Sequence, residues 1–154
     1  MDTDLLFSII DAMGSIATAG ALIFAFWQIR EARLQATTSF EDALDREYRD
    51  IVHHIPIAAF MGEKLTPEAF EKALPFLYRY IDLSNQQVFL RQKGRIKKDT
   101  WIFWRDGIQS NLKRYPFNVA WERIKEHSQE SFSELKRLEN SEFSEDPRKW
   151  RKLE

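Results

Sequence analysis

The sequence predicts an all-α protein, with one N-terminal transmembrane helix followed by a helical cytosolic domain. Three observations predict it. Residues 5–29, LLFSIIDAMGSIATAGALIFAFWQI, hold one charge, Asp11, and the uncharged run 12–29 alone covers 18 residues. From residue 40 on, apolar side chains recur at alternating spacings of three and four, the period of a helix with one buried face. Glycine and proline number 5 each among 154 residues, too few for the tight turns of a sandwich or barrel.

The N-terminal helix comes first. At about 1.5 Å per residue the uncharged run is about 27 Å long, close to a hydrocarbon core of about 30 Å. Met1-Asp2-Thr3-Asp4 is acidic, whereas a cleaved secretory leader needs a basic start. Arg30 and Arg33 follow the apolar run, and no Lys or Arg precedes them. The positive-inside rule then places the N-terminus outside and the rest in the cytoplasm, a single-pass protein of the inner membrane. Asp11, Gly14, Thr18, Ala21, Ala25 and Gln28 recur at spacings of three and four and form a seam of small and polar residues. Such seams let helix backbones approach. With one span per chain, the seam's partner is another subunit, so a homo-oligomer is expected. Asp11 is costly if it lies within the hydrocarbon and bland if the span begins at Ala12.

The expected segments are 1–29, N-terminal tail and transmembrane helix; 30–55, connecting helix; 56–140, helical cytosolic domain; and 141–154, polar tail. The connecting helix places Phe40, Leu44, Tyr48, Ile51 and Ile55 on one stripe and ends at Pro56. Its acids Glu41, Asp42, Asp45, Glu47 and Asp50 alternate with bases and read as a solvated face. Thr66-Pro67-Glu68 is a helix start, with an N-cap, a proline at the first position and an acid in the first turn. The helix runs to about Gln92, with Phe70, Leu74, Leu77, Ile81, Ser84 and Val88 on its stripe. Pro75 is expected to kink or divide it, and Gly94 to stop it. Further helices follow over 98–113, with Trp101, Trp104, Ile108 and Leu112 on one face, then from Phe117, with Trp121 and Ile124. A last one is marked by Phe132, Leu135 and Leu138. From Asn140 the chain is polar and expected to be loose, with Trp150 able to dock.

Composition restricts the chemistry. The absence of cysteine excludes disulfides, thiolate metal sites and cysteine nucleophiles. His53-His54 are consecutive, so they do not share a helix face as a zinc pair must. No phosphate loop, nucleophile elbow or catalytic carboxylate pair occurs, so no enzyme, cofactor or metal is expected. The net charge is -1. Beyond Ile29 stand 23 bases against 21 acids (24 less the three at 2, 4 and 11), so bulk nucleic-acid binding is not indicated. The richest candidate ligand site is residues 91–105, RQKGRIKKDTWIFWR. Arg91, Lys93, Arg95, Lys97 and Lys98 surround a glycine turn before Trp101 and Trp104, with Asn85, Gln86 and Gln87 upstream as amides that could read base edges. Bases suit phosphates, aromatics stack on nucleobases, and a helix N-terminus presents free N–H groups. The alternative is an exposed basic loop with both tryptophans in the core, or a loop that contacts anionic lipid headgroups.

The runs FLYRYIDLSNQQVFLRQKGRI, TWIFWRDGIQSNL and FNVAW, with FEDALDREYRDI before them, resemble a family of small bacterial single-pass membrane proteins with a helical domain of unknown function. The resemblance covers about residues 40–121 and implies architecture without an activity. In layout and size the chain is also similar to membrane effectors of type III CRISPR defence that respond to cyclic tetra-adenylate. That likeness implies an oligomeric, ligand-gated membrane effector in antiphage defence, taking an anionic ligand such as a cyclic oligonucleotide. The rival expectation is a membrane-tethered scaffold or accessory subunit that binds a protein partner.

Overall fold

The computed structural model describes the backbone of residues 3–128 and 130–150, and their side chains apart from those of 3–12, 15 and 16. The fold is all-α. The described residues form six α-helices and one 3-10 turn, with no strand. The helices are α1 Thr3–His53, α2 Ile57–Met61, α3 Pro67–Gln92, α4 Lys98–Leu112, α5 Phe117–His127 and α6 Ser133–Asn140, and the 3-10 turn is Pro147–Lys149. The chain divides into two compact units, Met1–Phe40 and Glu41–Glu154.

In the first unit Leu22, Ile23, Phe26 and Trp27 stand exposed. Gly14, Thr18, Ala21, Ala25 and Gln28 of the small-residue seam are exposed as well. The Thr18 hydroxyl donates to the Gly14 carbonyl at 2.8 Å, which satisfies it within the helix. Among the described residues no helix is long and apolar enough to cross a membrane. The expected span, 5–29, runs partly through side chains outside the described residues, and Asp11 is one of these.

The second unit is built on α3, against which α5, α6 and the 3-10 turn pack, while α4 packs on α5. Leu77, Ile81 and Val88 of α3 are wholly buried, as are Ile51 of α1 and Leu135 and Leu138 of α6. The high aromatic content fills this core. Phe117 meets Tyr80 edge-on at 5.1 Å and Phe60 at 5.3 Å, and Trp121 meets Phe132 at 5.9 Å. Each such buried ring contributes on the order of 2–3 kcal/mol.

Local signals explain the boundaries. Thr66 caps α3 by accepting from Ala69 N at 3.2 Å, and Pro67 follows at the first position. Pro75 does not divide α3, which continues over 26 residues. Its ring lies on the exposed face, so the Glu71 carbonyl it leaves without a donor can turn to water. α3 ends as expected at Gly94, which takes φ +71. Gly94 N donates to Arg91 O and Arg95 N to Leu90 O, a left-handed stop that satisfies the last carbonyls.

Two expectations change. α1 already ends at His53, and Pro56 opens the short α2 rather than closing the helix before it. The stretch after Asn140 is not loose within the described residues. Phe143 and Trp150 are buried, and the Trp150 indole donates to Glu145 at 2.7 Å beneath the Arg137 guanidinium.

Candidate functional site

The basic turn between α3 and α4 is rigid because of what lies under it. Arg91 is buried on the α3 stripe. It donates from Nε to Asp146 Oδ1 at 2.8 Å, from Nη2 to Asp146 Oδ2 at 2.5 Å, and from Nη1 to the Ile96 carbonyl at 2.8 Å. This fork holds the carboxyl of Asp146, the N-cap of the 3-10 turn, below its ordinary value, with burial opposing the shift. Arg91 is therefore an anchor for the turn, with its donors committed.

The α4 N-terminus is occupied from within. Glu41, buried, accepts from Lys97 N at 2.7 Å and from the Thr100 hydroxyl at 3.1 Å, and its Oε2 lies 3.8 Å from Lys97 Nζ. One of the N–H groups that sequence alone offers to an external anion, that of Lys97, is satisfied by a carboxylate 56 residues earlier in the chain.

The remaining candidates separate into two sets. Trp101 is in the core, its indole N–H without a partner among the described residues. Trp104 is also buried, and its N–H donates to Asp45 at 3.1 Å. Asn85 is half-buried and its Oδ1 accepts from Leu135 N at 3.0 Å, joining α3 to the first turn of α6. Trp101 is closed to stacking, and Trp104 is buried but for the cleft it lines. Lys93, Arg95 and Lys98 are exposed, and they make no ion pair among the described residues. Lys93 lies over the Phe89 ring at 4.9 Å. The exposed Arg148 adds to this set. Its guanidinium covers Gly94 where a side chain would otherwise begin. No local pattern marks Arg148 in the sequence, because the tertiary fold brings it to the turn.

A second site was not anticipated. Asp45 and Tyr48 of α1, Gln87 of α3, and Phe103, Trp104 and Asn111 of α4 line a cleft of ≈ 290 Å³, with Tyr80 in its wall. Asn111 donates to the Tyr80 hydroxyl at 3.0 Å. Burial pushes the Tyr80 phenol up to about 12, and burial with the Asp45 charge raises Tyr48. The solvated acidic face expected on α1 is thus broken at two places, where Glu41 and Asp45 turn inward.

The histidines carry no metal geometry. His54 stacks on Phe76 at 4.6 Å and its Nδ1 meets the Asp50 carbonyl at 2.8 Å. No group of three or more His, Cys, Asp or Glu among the described residues is arranged to hold a metal ion. Comparison of the chain with known protein families, with curated proteins and with solved structures finds no match.

Proposed function

We propose that this chain is a membrane-anchored, oligomeric effector or sensor of the inner membrane. Its helical unit reads a charge-dense anion at the basic turn, and it is not an enzyme. The observation that carries the reading is the set of uncommitted cations Lys93, Arg95, Lys98 and Arg148 around a turn stiffened by Arg91 and Asp146. A rigid turn loses little entropy when it orders a ligand. With Trp101 and Trp104 turned inward, recognition falls on phosphates rather than on base faces. A cyclic oligonucleotide, with phosphates along a closed backbone, meets that requirement. The apolar run 12–29, the exposed Leu22, Ile23, Phe26 and Trp27, and Arg30 and Arg33 beyond them support the anchor. The small-residue seam supports the association of subunits.

The test is a titration of the full chain, in maltoside micelles, with cyclic tetra-adenylate at two salt concentrations. Saturable binding that weakens with salt, and is lost in Arg95→Glu/Lys98→Glu, is the expected result. No binding by a folded chain would remove this ligand class. A second reading, a tethered scaffold or accessory subunit for a protein partner, is favoured by α2, where Ile57 and Met61 are 77% and 68% exposed. Ile57→Ser/Met61→Ser abolishes partner capture under that reading and leaves the nucleotide titration unchanged.

A further inference from the structure

The cleft between the 41–53 part of α1, α3 and α4 differs in sign from the basic turn. Gln87 is 5% exposed, lines the cleft, and its amide has no hydrogen-bond partner among the described residues. The amide atoms of Gln87 are not sealed from solvent, and they are open to a ligand in the cleft. Asp45, half-buried, uses Oδ1 to accept from Trp104, while Oδ2 has no partner among the described residues. Among the described residues no Lys, Arg or His lines the cleft. The guanidinium beside it, Arg105, is committed to Asp106 at 2.7 and 2.9 Å. Tyr48, Tyr80, Phe103 and Trp104 supply ring surface, and Phe103 is 78% exposed at the mouth.

We propose that this cleft binds a small organic cation: an ammonium with N–H donors, carried on a flat or apolar body. The ammonium pairs with Asp45 Oδ2 and donates to the Gln87 carbonyl oxygen. The ring faces attract the cation and cover its apolar part. An anion would meet Asp45 and Asp106 with no counter-charge among the lining residues, so the ligand of the basic turn does not belong here. The volume suits a body the size of one substituted ring. The proposal is independent of the reading at the basic turn, which uses none of these side chains.

The experiment is calorimetry of the full chain in maltoside micelles with phenethylammonium, with 2-phenylethanol as the neutral control. Choline-headed detergents are avoided because they compete. Saturable phenethylammonium binding, at least about tenfold tighter than the alcohol, is expected. Asp45→Asn keeps an acceptor for Trp104 and weakens the cation by at least about tenfold while leaving the alcohol unchanged. Gln87→Leu weakens it several-fold and provides a second reading should Asp45→Asn unfold. Equal binding of amine and alcohol would overturn the proposal and make the cleft an apolar groove for a partner's side chain. No saturation up to about 10 mM, a free energy under roughly 3 kcal/mol, would also overturn it.

Discussion

Asp146→Ala is expected to be the most damaging single change on the surface of the helical unit. The side chain is 24% exposed, yet it takes two of the three hydrogen bonds made by a guanidinium that is itself 9% exposed. Removing it leaves a buried cation with one remaining acceptor, the Ile96 carbonyl. Breaking a buried pair from one side costs about 3–5 kcal/mol. Partial solvent access to Asp146 reduces that to about 2–4 kcal/mol. The loss of its bond to Arg148 N, 3.0 Å, is included in this range. The assay is urea unfolding of the full chain in micelles, followed by helical circular dichroism and by Trp fluorescence. The expected fall is on the order of 10 °C in Tm, or its urea equivalent. The double change Arg91→Met/Asp146→Leu should recover most of the loss, because it removes the stranded charge rather than half of the pair. The same pair predicts an acid limb. The folded-state value of Asp146 lies below its ordinary 3.8, so its contribution is complete above 3.8 and disappears as pH falls through the lower, folded value. Asp146→Asn flattens that limb. A loss below about 1 kcal/mol for Asp146→Ala, with Arg91 still present, would refute the reasoning, because the guanidinium would then have to be solvated rather than buried.

Glu41→Ala should cost about 2–3 kcal/mol in the same unfolding assay, from the cap and the stranded Lys97 N–H, while Glu41→Gln keeps an acceptor and costs about 1 kcal/mol. Gly94→Val forces a branched side chain into a left-handed backbone and against Arg148, and should lower Tm by several degrees while also weakening anion binding at the turn. At the alkaline end, Tyr80 is raised from 10.0 to about 12, so the fold should lose on the order of 2–3 kcal/mol between those values as the unfolded chain ionises first. Tyr80→Phe removes most of that alkaline slope, leaving the smaller part due to Tyr48, as pH-jump unfolding will show.

The helices were legible because their signals are local. Thr66-Pro67, Gly94 and the stripe from Phe70 to Val88 each act within one or two turns, and α3 has its expected ends. Of the two outcomes expected at Pro75, a kink or a division, the division does not occur, because the freed Glu71 carbonyl lies on an exposed face, which sequence does not state. The site was less legible, because most of its polar groups act across 31 to 59 residues. Glu41, Arg91 and Gln87 were nevertheless in view. Glu41 stands three before Leu44 and so joins Leu44, Tyr48, Ile51 and Ile55 in one register. Arg91 continues Ser84 and Val88 by the next step of three, and Gln87 follows Tyr80 by seven. A charged or amide side chain in register with a buried stripe signals a tertiary partner, and composition-based reading as a solvated face or ligand base overlooks that phase. Arg148 carried no such mark. Its position at the turn follows from the docking of Trp150 and the pairing of Asp146.

The Arg91–Asp146 fork also sets an order of events during synthesis. Arg91 is made 55 residues before the carboxylate that neutralises it. Until Asp146 leaves the ribosome, the nascent chain carries Arg91 uncompensated beside Lys93, Arg95, Lys97 and Lys98. That stretch remains a mobile polycation able to associate with any nearby anionic surface. The arrival of residues 146–150 folds one of those charges inward and turns a loose segment into a shaped one.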